Sequence, residues 1–347
     1  MGGLLFNTPR LPLKEFKKFK DDIEFVMDFA GIEYKIPLYF REKKDFGDLD
    51  VLIKSTVPTE MLLSIFKGYE SHYDSSEKTV SFNYKNFQID FIKIIPEDFN
   101  IAYHYFSYND MGNLIGQLAK SVYLKFGEDG LKYVHTVGSQ KRATISISKN
   151  IDEILKFINL DPAKYRSGFD TLQEIFDFIT SSKYFNPYVS DLEPYGYSAA
   201  GVALYRLNKM NRERNAKRKT YQEWLEYIKK FKTGEENYKF REGTLDEAID
   251  LVDKFFAGVN LREKLNFLNS EEEARKIMKT KFNGNIIVDL LPDLDKSDRQ
   301  FFIDSFKDHV KSKVPYTFDE YIVKAKSEAI KKDIIDYYNN TFKKRFQ

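Results

Sequence analysis

The chain contains no cysteine. That removes disulfides, thiolate zinc sites and thiol nucleophiles from consideration, and it suits a reducing compartment. Histidine is scarce: His72, His104, His135 and His309 are scattered, show no H-x-x-x-H spacing, and are read as surface or packing residues rather than ligands. No apolar run approaches the roughly 20 residues that a membrane-spanning helix needs. The N-terminus, MGGLLFNTPRLP, lacks the basic-then-apolar order of a signal peptide. Met1-Gly2 with Asn7, in place of a small hydroxyl residue, matches myristoylation poorly. The expectation is a soluble protein of the cytoplasm or another reducing intracellular compartment, with no membrane partner and no oligomeric state indicated. An excess of one charge is lacking too. With 55 Lys and Arg against 53 Asp and Glu the formal net charge is +2, so only local clusters can announce a polyanionic partner. Internal repeats and low-complexity linkers are absent.

What is present is enough for real cores: 347 residues, 42% of them hydrophobic, sufficient for two domains. The most informative feature is a set of three aspartates. Asp48 and Asp50 lie in Phe46-Gly47-Asp48-Leu49-Asp50-Val51-Leu52-Ile53, and Asp90 lies in Phe87-Gln88-Ile89-Asp90-Phe91-Ile92-Lys93-Ile94. Both segments read as strands, rich in β-branched and aromatic residues and flanked by turn-formers. Residues i and i+2 of a strand share a face, about 7 Å apart. Asp48 and Asp50 therefore project together, and an adjacent Asp90 strand would make three carboxylates converge. A lone D-x-D is ordinarily a solvated edge or turn. A preceding glycine, a following aliphatic run and a second aspartate inside an aliphatic strand point instead to a site. Oxygen ligands without Cys or His suit Mg²⁺, with Mn²⁺ as an alternative. Two such ions about 4 Å apart stabilise both the attacking and the leaving oxygen of phosphoryl transfer.

Periodicity predicts an amphipathic helix over 13–30, strands at 35–40, 48–54, 78–84 and 86–95, and a short helix at 58–68. Asn109 or Asp110 can cap a helix running to about 126, ended by Gly127 and Gly130, with strands at 133–137 and 144–147 after it. The texture then changes. Helices are expected at 151–158, 169–181, 197–232, 245–256, 259–268, 270–281, 295–312 and 317–345. The fold class is α+β: a mixed-sheet domain with a small α+β subdomain over 1–150 and a mainly helical domain over 151–347.

These motifs resemble the palm of the family X DNA polymerases, the polymerase beta-like nucleotidyltransferases. Arg41 to Ile53 (REKKDFGDLDVLI) is similar to that family's arginine, spacer and Gly-Asp-x-Asp run. Ile89 to Asp98 (IDFIKIIPED) is similar to its third-carboxylate strand and the turn after it. Tyr105-Phe106-Ser107-Tyr108-Asn109-Asp110 stands where the family has Tyr-Phe-Thr-Gly-Ser-Asp, Asn113 follows at the family spacing, and Pro9-Arg10-Leu11-Pro12 resembles the opening of the palm. The likeness spans about residues 5–165. It implies that Asp48, Asp50 and Asp90 hold the metals and that Arg41, helped by Lys43 and Lys44, holds the triphosphate. It also implies that Tyr105 and Phe106 pack on the nucleotide sugar, and that Asp110 and Asn113 meet the incoming base. The plain alternatives are core aromatics for the first pair and helix capping for Asp110. Three departures stand out. Pro37-Leu38 replaces the family Gly-Ser that grips phosphate, Tyr108 replaces a glycine and would crowd the sugar pocket, and Gln117 replaces a basic template contact.

Beyond the likeness, Tyr205 to Lys219 (YRLNKMNRERNAKRK) sets Arg206, Lys209, Arg212, Arg214, Lys217, Arg218 and Lys219 against a single Glu213. Such a stripe is an electrostatic footprint for a phosphate backbone, with a solvated helix as the plain alternative. The activity implied is metal-dependent transfer of a nucleotide from an NTP or dNTP to a nucleic-acid 3′-hydroxyl, with pyrophosphate released. A template-independent transferase acting on RNA or tRNA 3′ ends, and an inactive palm that binds nucleic acid, remain open.

Overall fold

The structure is a computed structural model that describes residues 3–137, 140–190, 213, 215–232 and 243–345. It is a mixed α+β fold in two compact units, Met1–Val259 and Asn260–Gln347. The change to all-helical structure falls near residue 150, but the first unit continues through Val259, so the helices up to there belong with the sheet.

The first unit is built on β2 (Tyr34–Lys35), β4 (Asp48–Lys54), β5 (Glu70–Tyr73), β6 (Thr79–Tyr84) and β7 (Phe87–Ile94), in the order β2-β4-β7-β6-β5. β4 and β7 run parallel and the other neighbours antiparallel. Strand alternation gives the sheet two different faces. Leu49, Val51 and Ile53 of β4 and Phe87, Ile89 and Phe91 of β7 form one core with α1 (Leu13–Phe29) and α2 (Thr59–Ile65). From α1 that core takes Phe16, Phe19, Ile23 and Met27, residues at helical spacing, and from α2 it takes Leu62. The opposite face is divided. Leu52, Ile92 and Ile94 pack with Phe99 and Ala102 of α3 (Phe99–Phe106), while the same face of β4 and β7 carries Asp48, Asp50, Gln88 and Asp90 at the other end. The apolar half thus recruits a helix and the carboxylate half lies beyond it.

α4 (Met111–Lys120) precedes a three-stranded meander of β8 (Lys125–Gly127), β9 (Gly130–Val137) and β10 (Gln140–Ser148). The expected helix to 126 therefore ends at Lys120, because 125–127 pairs with 130–132 as a hairpin. Gly130 turns that hairpin at φ +92°, where a Cβ would stand 2.5 Å from the Ser148 carbonyl. The expected strand 35–40 shrinks to Tyr34–Lys35, since the Leu38 N–H donates to Ser107 Oγ and the Leu38 carbonyl accepts the Tyr108 N–H in place of ladder partners. α3 and the two-stranded pairing of β1 (Leu11–Pro12) with β3 (Asp45–Phe46) were not expected from the sequence.

Helices α5 (Ile151–Phe157), α6 (Pro162–Ser167) and α7 (Leu172–Thr180) follow, and later in the unit Lys219–Tyr227, Lys229–Lys232 and Leu245–Phe255. Of the expected helix 197–232, residues 197–212 and 214 lie outside the described residues. The described part is interrupted at Lys217 and Arg218, Arg218 having extended backbone. The second unit is all-helical, with Phe302, Phe306, Ile322, Ile330 and Ile334 fully buried in its own core. One helix, Leu261–Lys281, replaces the two expected there. The expected helix 317–345 breaks at Ala325–Lys326, both extended, into Phe318–Lys324 and Ser327–Tyr337 with a short π and 3₁₀ tail.

Candidate metal centre

The parallel pairing of β4 with β7 sets Asp50 directly beside Asp90 and Asp48 beside Gln88. One carboxylate oxygen from each of Asp48, Asp50 and Asp90 lies within 4.8 Å of the others, the acidic cluster expected from the alternation. All three side chains are half-buried. Oxygens on opposite sides of a hard cation lie about 4–5 Å apart, for metal–oxygen bonds of about 2.0–2.6 Å. The spacing and the all-oxygen donor set therefore fit a metal ion.

The electrostatics point the same way. Burial, then the charges of Asp48 and Asp90, push the Asp50 carboxyl up to about 8. Burial and Asp90 likewise raise Asp48. Burial raises Asp90, against which hydrogen bonds from Ser81 and Gln88 act. Gln88 Nε2 donates to both Asp90 carboxylate oxygens, at 3.0 and 2.9 Å, while its Oε1 accepts the Leu5 N–H at 3.2 Å. The third carboxylate is thus oriented by a neighbour two residues back and by the segment that opens the chain. Like charges held this close favour the protonated form of a carboxyl, and a cation among them reverses that preference.

Three cationic side chains among the described residues act on the cluster. Lys43 acts on Asp48 and Asp50, Arg10 on Asp48, and Arg218 on Asp50. Lys43 Nζ donates to Asn109 Oδ1 at 3.0 Å and sits 4.5 Å from the Phe46 ring centroid. Burial lowers its pKa and the two aspartates raise it. Arg10 also pairs with Asp45 at 2.6 Å.

The remaining sequence candidates are placed as follows. Arg41 is exposed and tied elsewhere: its guanidinium pairs with Asp170 and donates to the Ser167 carbonyl at 3.0 Å, and its backbone N–H reaches the Phe169 carbonyl. Lys44 is exposed, and its carbonyl accepts the Leu13 N–H at 3.0 Å. Tyr105 and Phe106 end α3, edge to face at 5.3 Å. Phe106 packs on the Leu52–Ile92 cluster, on the sheet face that carries the carboxylates. Tyr105 presses its carbonyl against α4 so closely that a Cβ at Gly112 would stand 2.0 Å away. Asn113 is half-buried on the first turn of α4. Asp110 is buried and paired with Arg218, and makes no side-chain cap to α4.

Tyr108 keeps a left-handed backbone at φ +59°, the geometry that suits glycine, yet its ring is buried against Tyr165 and Phe169 at 5.7 and 5.0 Å. Gln117 is buried. Its Nε2 lies 3.1 Å from the Tyr221 hydroxyl and its Oε1 accepts from Ser190 Oγ, in a network closed by Tyr221 to the Ser190 carbonyl at 2.8 Å and Trp224 Nε1 to Ser190 Oγ at 2.9 Å.

In the basic stretch, Arg206, Lys209, Arg212 and Arg214 lie outside the described residues. Lys217 and Lys219 are exposed, Lys219 within 3.8 Å of Glu223, whereas Arg218 turns inward. The sequence reading missed Gln88, which period-two spacing from Asp90 could have flagged. It also missed the inward turn of Arg218 and the roles of Asn109 and Ser81, which only the tertiary fold supplies. No helix among the described residues is long and apolar enough to cross a membrane. In comparisons with known proteins, no protein-family model and no curated protein matches the chain.

Proposed function

We propose that the chain is a metal-dependent nucleotidyltransferase resembling the family X DNA polymerases, which adds a nucleotide from an NTP or dNTP to a nucleic-acid 3′-hydroxyl and releases pyrophosphate. The observation that carries this reading is the three-carboxylate cluster on adjacent parallel strands, with Asp50 in register with Asp90. Magnesium, or manganese, held there would supply Lewis-acid stabilisation of the reacting phosphate and activation of the 3′-hydroxyl. The chain's own contribution is positioning and charge. Gln88 and Ser81 orient Asp90, and Gln88 is fixed in turn by Leu5. Lys43 and Arg218 place positive charge against Asp50, where an anionic substrate would otherwise meet only carboxylates. Phe106 offers a partly buried aromatic edge on the same sheet face, suited to a sugar.

A second reading, template-independent addition to RNA or other 3′ ends, is favoured by one observation. Gln117, the residue at the family's template-contact position, has both ends of its amide engaged inside the protein. The exposed Lys217 and Lys219 suit a nucleic-acid backbone on either reading. The test is an incorporation assay that crosses primer–template and single-stranded substrates, in DNA and in RNA, with all four dNTPs and NTPs. Extension of single strands at the same rate as primer–templates establishes untemplated addition. Absence of extension with any pair, alongside tight nucleic-acid binding, leaves an inactive palm that binds nucleic acid.

A further inference from the structure

Under the nucleotidyltransferase reading, a triphosphate must be gripped beside Asp48, Asp50 and Asp90, yet the loop expected to grip it is engaged otherwise. Pro37 has no N–H. Leu38 gives its N–H to Ser107 Oγ at 3.1 Å, and its carbonyl accepts the Tyr108 N–H at 2.6 Å. The Arg41 guanidinium is held by Asp170 and the Ser167 carbonyl. A different arginine lies on the carboxylate side. Arg218, in the extended residue before helix Lys219–Tyr227, is 27% exposed and pairs with Asp110, 5% exposed, at the start of α4. Asn109, the residue before Asp110, accepts from Lys43 Nζ at 3.0 Å, and that ammonium sits 4.5 Å from the ring of Phe46, two residues before Asp48.

The geometry points to Arg218 as the residue that takes the anionic oxygens of the triphosphate, with Asp110 as the partner that holds it before the nucleotide binds. This inference rests on the function proposed above. A guanidinium is a planar fork of five N–H donors that matches phosphate bidentately, and Asp110 engages one nitrogen of the fork, Nη1. Exchanging a carboxylate for a phosphate keeps a counter-ion on the arginine throughout. The backbone at the base of the side chain is hydrogen-bonded on both sides. The Arg218 N–H donates to the Asn215 carbonyl at 3.1 Å, and the Arg218 carbonyl accepts from the N–H groups of Tyr221 and Gln222 at 3.0 Å each. Tyr221 and Trp224 lock that helix to Gln117 of α4 and to Ser190. The helices that follow the sheet thereby deliver one cation to it.

The test uses the full chain with Mg²⁺ and inorganic tripolyphosphate, a probe with no base for Asp110 or Asn113 to meet and no nucleotide to transfer. Binding is measured by calorimetry for the unaltered protein, Arg218→Gln, Arg218→Lys and Asp110→Asn, with thermal melts to check each fold. Arg218→Gln should weaken binding about tenfold or more, the loss of a charge-assisted contact. Arg218→Lys, which keeps the charge and the ion pair but not the fork, should weaken it several-fold, and it serves as the deciding variant should Arg218→Gln fail to fold. Asp110→Asn should bind as tightly as the unaltered protein or more tightly, because it releases the arginine. Unchanged affinity in the Arg218 variants overturns the proposal. So does equal weakening by Arg218→Gln and Asp110→Asn, which makes the pair a strut. No binding by the unaltered protein defeats the nucleotidyltransferase reading itself, and the role of Arg218 falls with it.

Discussion

Without metal, the protein should lose stability as pH rises through neutrality, and Asp50→Asn should remove much of that loss. Asp50 is pushed from 3.8 up to about 8, by burial first and then by Asp48 and Asp90. A carboxyl with a raised native pKa binds its proton more tightly in the native state than in the unfolded chain. Its stabilisation is fully present below the unfolded pKa and is lost as pH rises through the native one. At about 1.4 kcal/mol per unit, the shift sets a ceiling of about 6 kcal/mol. Water on the half-buried site screens it, and the coupled carboxylates share the same repulsion, so about 2–3 kcal/mol is expected between about pH 5 and pH 9. For a unit of this size about 1 kcal/mol moves Tm by 2–4 °C, so this cluster should lower Tm by about 5–10 °C across that range. The assay is thermal melting in EDTA over the pH series. Asp50→Asn should show a shallower decline and melt above the unaltered protein at the alkaline end. Added Mg²⁺ should raise Tm in the unaltered protein and do so far less in the variant. Equal pH slopes, or a variant that melts lower than the unaltered protein at the alkaline end, would refute the reasoning.

Arg41→Ala breaks an exposed ion pair with Asp170, so it should cost less than about 1 kcal/mol of stability. It should also raise the apparent KM for nucleotide less than Arg218→Gln does; the reverse order in a nucleotide titration returns the triphosphate contact to the Arg41 loop. Neutralising Arg206, Lys209, Arg212, Arg214, Lys217 and Lys219 while keeping Arg218 should weaken nucleic-acid binding regardless of sequence. The slope of log K against log salt should fall by about 0.9 per lost contact on duplex or about 0.7 on single strands. An unchanged slope makes the stretch a solvated surface.

The carboxylate cluster was legible because strand alternation is a local rule: once β4 and β7 are recognised as strands, Asp48, Asp50 and Asp90 need only adjacent pairing to meet. α1 was legible for the same reason, through the spacing of Phe16, Phe19, Ile23 and Met27. The strand expected at 35–40 failed because the Leu38 N–H donates to Ser107 Oγ and the Leu38 carbonyl accepts the Tyr108 N–H, a tertiary competition invisible in local propensity. The break at Ala325–Lys326 carries no proline or glycine to announce it. Arg218 illustrates the same limit at the site. In the sequence it is one of seven basic residues in a stripe, and only the packing of Tyr221 and Trp224 against Gln117 and Ser190 turns it toward Asp110. Gln117 is the converse case, a polar residue whose loss of basic character looked like a change in substrate contact and whose amide is engaged in the interior.

The most direct test of the central claim compares the unaltered protein with Asp90→Ala in Mg²⁺-dependent extension of DNA and RNA 3′ ends, counting pyrophosphate released per nucleotide added. The account predicts one pyrophosphate per addition, complete inhibition by EDTA, and a loss of about a hundredfold or more in Asp90→Ala. The variant should fold as the unaltered protein does, and melt no lower in EDTA, because one repelling carboxylate is gone. Extension by Asp90→Ala at the rate of the unaltered protein, or no metal-dependent extension of any primer by the unaltered protein, would contradict it.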